Sequence, residues 1–512
     1  MIRFKLYNSK PDHIKLLANN HPHLFAQDDI PVRSRLEITS EGELLAERHS
    51  DMALGLATLW NVDGFGRVQL QTTRLPGRER PYNLNVELAR GQLLRISQKR
   101  EEWGISDSDA ASPVLIESQH DLIDRALDNL VQALSLIDHP EQAAIAADKA
   151  LVMAMKAGEE ISLAHAKLFL DRRHSTHGFS RHSFGCCLDT ARIRDTKYLK
   201  FIKDNFRFVT VPVSWRQIEP KEQVRNFEWL DECVNWLSRN RIAVKVGPLL
   251  NFLPGMLPDW LFIWENDFDQ VREMAYDYIT SVVERYSNKV QAWDVISGMN
   301  VENCFKFSFE QIIEMTRSGV LAAKRTAPRS LILVELTEPW GEYYAYNQRA
   351  LPPLIYVDMI CQSGANFDGL GVKLRFGRGG GGMRTRDILD ISCLLDKLGV
   401  FGKSIHLASV QVPSKPDPRD NSGPLGDPGF WHGPWSEDTQ ALWLDQVYQV
   451  ALSKPYVETI TWADLADRDN SILLHGGLLQ KDLVPKPAFK IFRKIKKRLL
   501  REEHPGSIHQ KP

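Results

Sequence analysis

From about residue 180 onward, short apolar runs alternate with longer amphipathic stretches. The runs are Phe184–Leu188, Phe206–Val213, Ile242–Pro248, Val290–Ile296, Leu331–Leu336, Phe367–Val372, Ile405–Val412 and Thr459–Leu465. Stretches of helical period lie between them, such as Trp229–Ser238, Asp269–Tyr286 and Phe309–Arg325. Near-continuous apolar strands are what a parallel sheet covered on both faces requires. Eight strand–helix units predict an α/β fold, a (β/α)8 TIM barrel, over residues 176–497.

The patterning before the barrel is different. Residues 1–116 read as β-rich. Leu36-Glu37-Ile38 alternates, Val68–Thr72 follows an Asp63-Gly64 turn, and Tyr82–Leu88 alternates again. Short strands between turns predict a small β-sandwich-like domain, either carbohydrate-binding-like or a packing domain. Residues 117–175 switch to a helical period. Leu122, Ala126, Leu127, Leu130, Val131 and Leu134 mark one face; Ala143, Ala147, Leu151 and Met155 mark the next. His139-Pro140 breaks the run, with Pro140 suited to a first helical turn. The expectation is a helical hairpin linking the β-rich region to the barrel, with a polar tail over 498–512.

Composition narrows the function classes. Hydrophobic residues make up 43% of the chain and net charge is −1, so no overall field favours nucleic acid or a membrane surface. The basic run Lys490–Arg501 reads as the solvated face of a last helix. The N-terminus lacks the apolar core of a signal peptide, and no apolar stretch approaches the ~20 residues of a membrane span. The six cysteines form no CxxC pair, and no HxH or HExxH spacing occurs. The expectation is a cytoplasmic protein with free thiols and with no metal, cofactor, nucleic-acid or membrane partner.

Two barrel strands carry a specific resemblance. Trp293-Asp294-Val295-Ile296-Ser297-Gly298 and Ile405-His406-Leu407-Ala408-Ser409-Val410-Gln411 resemble the WDVVNE and IHITELD strands of glycoside hydrolase family 10, the endo-β-1,4-xylanases. Phe184-Gly185, Phe206–Thr210, Trp215, Ile218-Glu219-Pro220, Phe367–Val372, Trp435-Ser436-Glu437, Lys454–Trp462 and Lys486-Pro487-Ala488 match further family motifs in order, over roughly 180–495. The resemblance implies a saccharide ligand and O-glycosyl hydrolysis. It places the acid/base at Gly298 and the nucleophile at Ser409. Neither residue can do that chemistry. The family's GHTLVWH strand is replaced by Gly247–Phe252, and its sixth-strand Gln and His by Lys373 and Arg375.

Glycoside hydrolysis usually needs two carboxyl groups flanking the bond. They should sit at the C-terminal ends of barrel strands. Those ends offer Glu335 and Glu338 after the fifth strand, and Asp464 and Asp467 on or after the eighth. Glu335 and Asp464 are the candidate relocated catalytic residues; Asp294 reads as supporting. Trp462, Trp340 and Trp431 are candidate stacking surfaces, and His406 a candidate ligand contact. Lys373 and Arg375 would favour an anionic saccharide, unless Lys373 is neutralised by Glu335. Phe376–Met383, with four consecutive glycines, reads as a lid or a plain loop. Three functions remain open: a hydrolase with relocated carboxylates, a non-catalytic glycan-binding pseudoenzyme, or an intracellular protein-interaction scaffold.

Overall fold

The computed structural model describes residues 1–7, 22–48, 51–104, 113–176, 178–301, 303–347, 349–380, 382–419 and 427–500. Gly381 and most of the expected tail lie outside them. Two sheets form the N-terminal region. The first holds β1 (Ile2–Lys5), β4 (Leu36–Ile38), β5 (Glu43–Ala46) and β8 (Tyr82–Asn83), in the order β4-β5-β1-β8. The second holds β2 (His23–Phe25), β3 (Pro31–Val32), β6 (Gly55–Val62) and β7 (Gly66–Gln71). It is completed by β17 (Phe430–Trp431), which comes from far down the chain; the order is β17-β7-β6-β2-β3.

Only the first two residues of the Tyr82–Leu88 alternation are strand. Leu84–Glu102 is a 19-residue helix. Its first turns are buried on all sides, Asn85 and Glu87 included. A helix without a solvent face need not show an apolar stripe, and its residues can imitate a strand. The hairpin follows as helices Pro113–Ser135 and Pro140–Thr176. Ala143, Ala147, Leu151 and Met155 are buried as expected. On the first helix the buried stripe is Ile123, Ala126, Leu130 and Ala133, whereas Leu127 and Val131 are 44% and 64% exposed. The neighbouring stripes have similar spacing, and the one with small alanines lets the helices approach closely.

All eight predicted apolar runs become barrel strands. They are β9 (Phe184–Cys187), β10 (Phe208–Val211), β11 (Ala243–Val246), β13 (Ala292–Ser297), β14 (Leu331–Leu336), β15 (Gly369–Arg375), β16 (Ser404–Gln411) and β18 (Val457–Trp462). Every pairing is parallel, and contacts β18–β9 and β11–β13 close the ring. A short β12 (Leu250–Asn251) adds to the end of β13. Register shifts insert Val295 into β13 and Ala408 into β16. Such bulges re-aim the side chains that follow; here those are Ser297 and Ser409. No helix among the described residues is long and apolar enough to cross a membrane. None of the six cysteines forms a disulfide among the described residues.

The N-terminal region grips the loops above β14, β15 and β16. Tyr346 donates to Pro22 O at 2.6 Å, and Arg33 to Asn347 O at 3.1 Å. Gln69 N donates to Thr385 O at 2.9 Å, and β17 pairs antiparallel with β7. Beside β17, His432 contacts Gly64 O at 2.8 Å and Glu159 at 2.9 Å. Burial lowers the pKa of this imidazole, but Glu159 and Gly64 outweigh burial, and the net direction is upward. A raised histidine pKa contributes stability that is complete below the unfolded value of about 6.5 and lost as pH rises through the folded value. The expected outcome is a melting temperature that falls between pH 6 and 8 more in the wild type than in His432→Gln. Identical pH profiles would show that this contact carries no linkage.

Candidate functional site at the barrel mouth

The C-terminal ends of the strands converge on a polar network. β14 supplies Glu335, which is buried. Its Oε1 accepts from Ser297 Oγ of β13 at 2.5 Å and from Lys373 Nζ of β15 at 2.7 Å. Lys373 also reaches Ser297 Oγ at 3.1 Å and Thr337 Oγ1 at 3.4 Å. Ser409 of β16 lies opposite Lys373 in the ladder and accepts from Arg375 Nε at 2.6 Å. Gly298 directly follows Ser297. Lys373 therefore contacts the residue before Gly298 and is the ladder neighbour of Ser409, the two positions that the resemblance assigns to acid/base and nucleophile.

Below this layer Lys245 of β11 pairs with Asp294 of β13 at 2.8 Å, both almost completely buried. Burial alone disfavours the ammonium. Asp294, Glu335 and Cys187 more than compensate, so the Lys245 pKa is held above its ordinary value. For Glu335, burial opposes ionisation, but Lys373, Ser297 and Lys245 together hold the carboxyl below its usual range. Burial raises the Asp294 carboxyl above its usual range, with Lys245 partly opposing and Glu335 adding to the rise. Lys245 went unnoticed in the sequence. Its signal is a lysine inside the apolar strand Ala243-Val244-Lys245-Val246, where a fully buried lysine needs a partner.

Several candidate residues take other roles. Asp464 is buried and accepts from Gln411 at 2.7 Å, Ser471 at 2.5 Å and Arg468 at 2.6 Å. Glu335 and Asp464 are thus tied into separate internal networks, and a carboxylate held ionised by Lys373 is no proton donor. His406 contacts Ser404 Oγ at 3.1 Å and Thr459 Oγ1 at 3.0 Å, near the beginnings of β16 and β18. Burial, with Lys245 nearby, pushes its pKa down to about 3. It is a buried, neutral residue near the strand beginnings.

The three tryptophans do not form a stacking platform. Trp462 is fully buried and donates to Gly476 O at 2.9 Å. Trp431 is buried in β17, against the N-terminal sheet. Trp340 is half-buried, and Arg386 covers its ring at 4.7 Å. The cationic mouth is also reduced, because Lys373 is neutralised by Glu335. Arg375 has no acidic partner among the described residues. The glycine loop folds on itself through Gly377 N to Met383 O at 3.0 Å and Met383 N to Gly380 O at 3.2 Å. Among the described residues no group of three or more His, Cys, Asp or Glu side chains is placed to hold a metal ion.

The comparisons agree with this architecture. The chain is 29% identical over 131 residues to an endo-1,4-beta-xylanase/feruloyl esterase of Xylanibacter ruminicola, covering 24% of this chain and 18% of that protein. It is 24% identical over 205 residues to endo-1,4-beta-xylanase 3 of Hypocrea jecorina, covering 39% of this chain and 57% of the relative. The matches thus span less than two thirds of these relatives' own length. A GH10 endoxylanase from a sugarcane soil metagenome superposes with a TM-score of 0.50 at 16% identity, covering 64% of this chain and 99% of that one. That last likeness is one of fold. The profile of glycosyl hydrolase family 10 matches residues 174–494, more than half of the 512 residues, and the chain belongs to that family.

Proposed function

We propose that this family 10 barrel binds a saccharide at its C-terminal mouth and does not cleave it by double displacement. One observation carries the reading: a lysine adjoins both positions that the resemblance assigns to the carboxylates. Lys373 touches Ser297, beside Gly298, and lies opposite Ser409. Retention of configuration needs carboxyl groups about 5–5.5 Å apart, one protonated and one ionised. Gly298 and Ser409 supply neither, and Glu335 and Asp464 are committed to internal partners. The family fold and its xylanase relatives support a saccharide as ligand. Arg375, at the rim without an acidic partner among the described residues, leaves room for one anionic substituent.

A second reading is favoured by a different observation. The N-terminal sheet takes β17 from a mouth loop, and its neighbouring strands and loops hold two more. A mouth fastened in this way suits an intracellular protein-interaction scaffold. Calorimetric titration with neutral xylohexaose and with a uronic-acid-substituted xylooligosaccharide, at low and high salt, separates the two. Saturable binding of either sugar is the expected result. A modest, salt-sensitive preference for the acidic one would match a single arginine. No heat with either sugar would overturn the saccharide reading.

A further inference from the structure

Among the described residues, Glu338 is a carboxyl at the mouth that the networks above do not use. It lies two residues past the end of β14, next to Thr337, whose hydroxyl stands 3.3 Å from Ser297 Oγ and 3.4 Å from Lys373 Nζ. Acids at the strand ends and in the loops beyond them are paired among the described residues: Glu335 with Lys373, Asp294 with Lys245, Asp464 with Arg468, Asp467 with Lys486, and Glu342 with Arg384 and Arg386. No hydrogen bond or ion pair reaches the Glu338 carboxyl among the described residues.

The backbone around it is unusual in two ways. Glu338 has φ +52, a left-handed conformation that a non-glycine residue adopts at a cost. Pro339 follows it, and a residue before proline is normally pushed to extended geometry. The loop above β15 is also shaped to it. A β-carbon at Gly382, itself at φ +65, would lie 2.7 Å from Glu338 Cγ and 3.1 Å from Oε2. Strain of this kind persists where the surroundings over-determine it, and it clusters at ligand clamps and active sites.

We propose that Glu338 is the ligand-contacting acid of the mouth, donating a hydrogen bond from its protonated carboxyl to an oxygen of the bound saccharide. This rests on the saccharide-binding reading. The electrostatics fit a donor. Burial raises the carboxyl, with Arg384 partly opposing, to a pKa of about 7. The charged and titratable groups around it are Arg384, held by Glu342, and the buried Tyr343 hydroxyl. A carboxyl that is half protonated at neutral pH can donate where an ordinary glutamate only accepts.

Titration with xylohexaose between pH 5.5 and 8.5 tests the assignment. Only the protonated form binds in full, so apparent affinity follows the protonated fraction. With a pKa of about 7, wild-type affinity should fall roughly 30-fold across that range. Glu338→Gln keeps a donor and should bind with near wild-type affinity at pH 5.5, without the decline. Glu338→Ala should bind at least ~10-fold more weakly and without pH dependence. Glu338→Gly relieves the left-handed backbone, so it should melt higher than wild type while losing affinity. A merely structural role would not separate those two readouts. Wild-type affinity in Glu338→Ala, or an unchanged pH slope in Glu338→Gln, would overturn the role of Glu338 alone. Absence of xylohexaose binding by the wild type at every pH would overturn the saccharide reading and this assignment with it.

Discussion

Purified protein should release no reducing ends from xylan at neutral pH, and Gly298→Glu/Ser409→Glu should not create the activity. General acid–base catalysis alone contributes about 10²–10⁴ in rate, and loss of a nucleophile removes the covalent route altogether. Simple restoration fails for local reasons. Gly298 has φ +72, and a β-carbon there would meet Leu253 Cγ at 3.2 Å and Asn251 Oδ1 at 3.4 Å. An L-residue in that conformation costs about 1–2 kcal/mol before any crowding. A glutamate at 409 would meet Arg375, which now donates to Ser409 Oγ at 2.6 Å. Their ion pair would occupy the carboxylate that an anomeric carbon needs. The double variant should therefore be inactive and less stable than wild type. Turnover by the wild type that survives both Glu335→Gln and Asp464→Asn would place the chemistry on other residues.

Lys245→Met should cost about 3–5 kcal/mol, the largest single-residue effect in the barrel, because it leaves Asp294 buried without its partner. In a domain of this size that is a drop in melting temperature on the order of 10 °C. Lys245→Met/Asp294→Leu removes both charges and should recover most of the loss, since paired burial is often close to neutral against a well-packed apolar substitute. Chemical denaturation of the wild type and both variants measures it; a double variant no more stable than Lys245→Met would mean that the pair is not the cause. The acid limb tests the neighbouring layer. The Glu335 pKa is lowered in the fold, so its contribution is present above the unfolded value and is lost as pH falls through the folded one. In Glu335→Gln that part of the acid dependence should vanish.

Legibility differs sharply between scaffold and site. The barrel is visible in the sequence because buried parallel strands need continuous apolar runs, and Leu331–Leu336 emerges with the bounds that its pattern suggests. The helix at Leu84–Glu102 is hidden because burial on all sides of its first turns erases the stripe there. Phe430-Trp431 carries aromatic residues in a loop rich in proline and glycine, which suits a ligand face. Its pairing with β7, over 350 residues earlier, leaves no mark in local pattern. Trp462 and Trp340 illustrate the same limit: residue type is readable, but whether a ring face is free depends on Gly476 or Arg386 arriving from elsewhere. The Lys373–Glu335 pair lies between these extremes. Both residues sit at strand ends with opposite charge, so the contact can be anticipated, but its neutralising effect appears only when Ser297 and Lys245 are placed around it.

The most direct test is the fate of a saccharide held at the mouth. The protein is incubated to saturation with the xylooligosaccharide that it binds most tightly, in water enriched in oxygen-18, then quenched in acid. Intact-protein and oligosaccharide masses are read together. The expected result is an unmodified protein and a sugar of unchanged length, with no label beyond the slow exchange of a protein-free control. A protein mass raised by a glycosyl unit, or shortened sugars carrying the label at the new reducing end, would contradict a mouth that binds without double displacement.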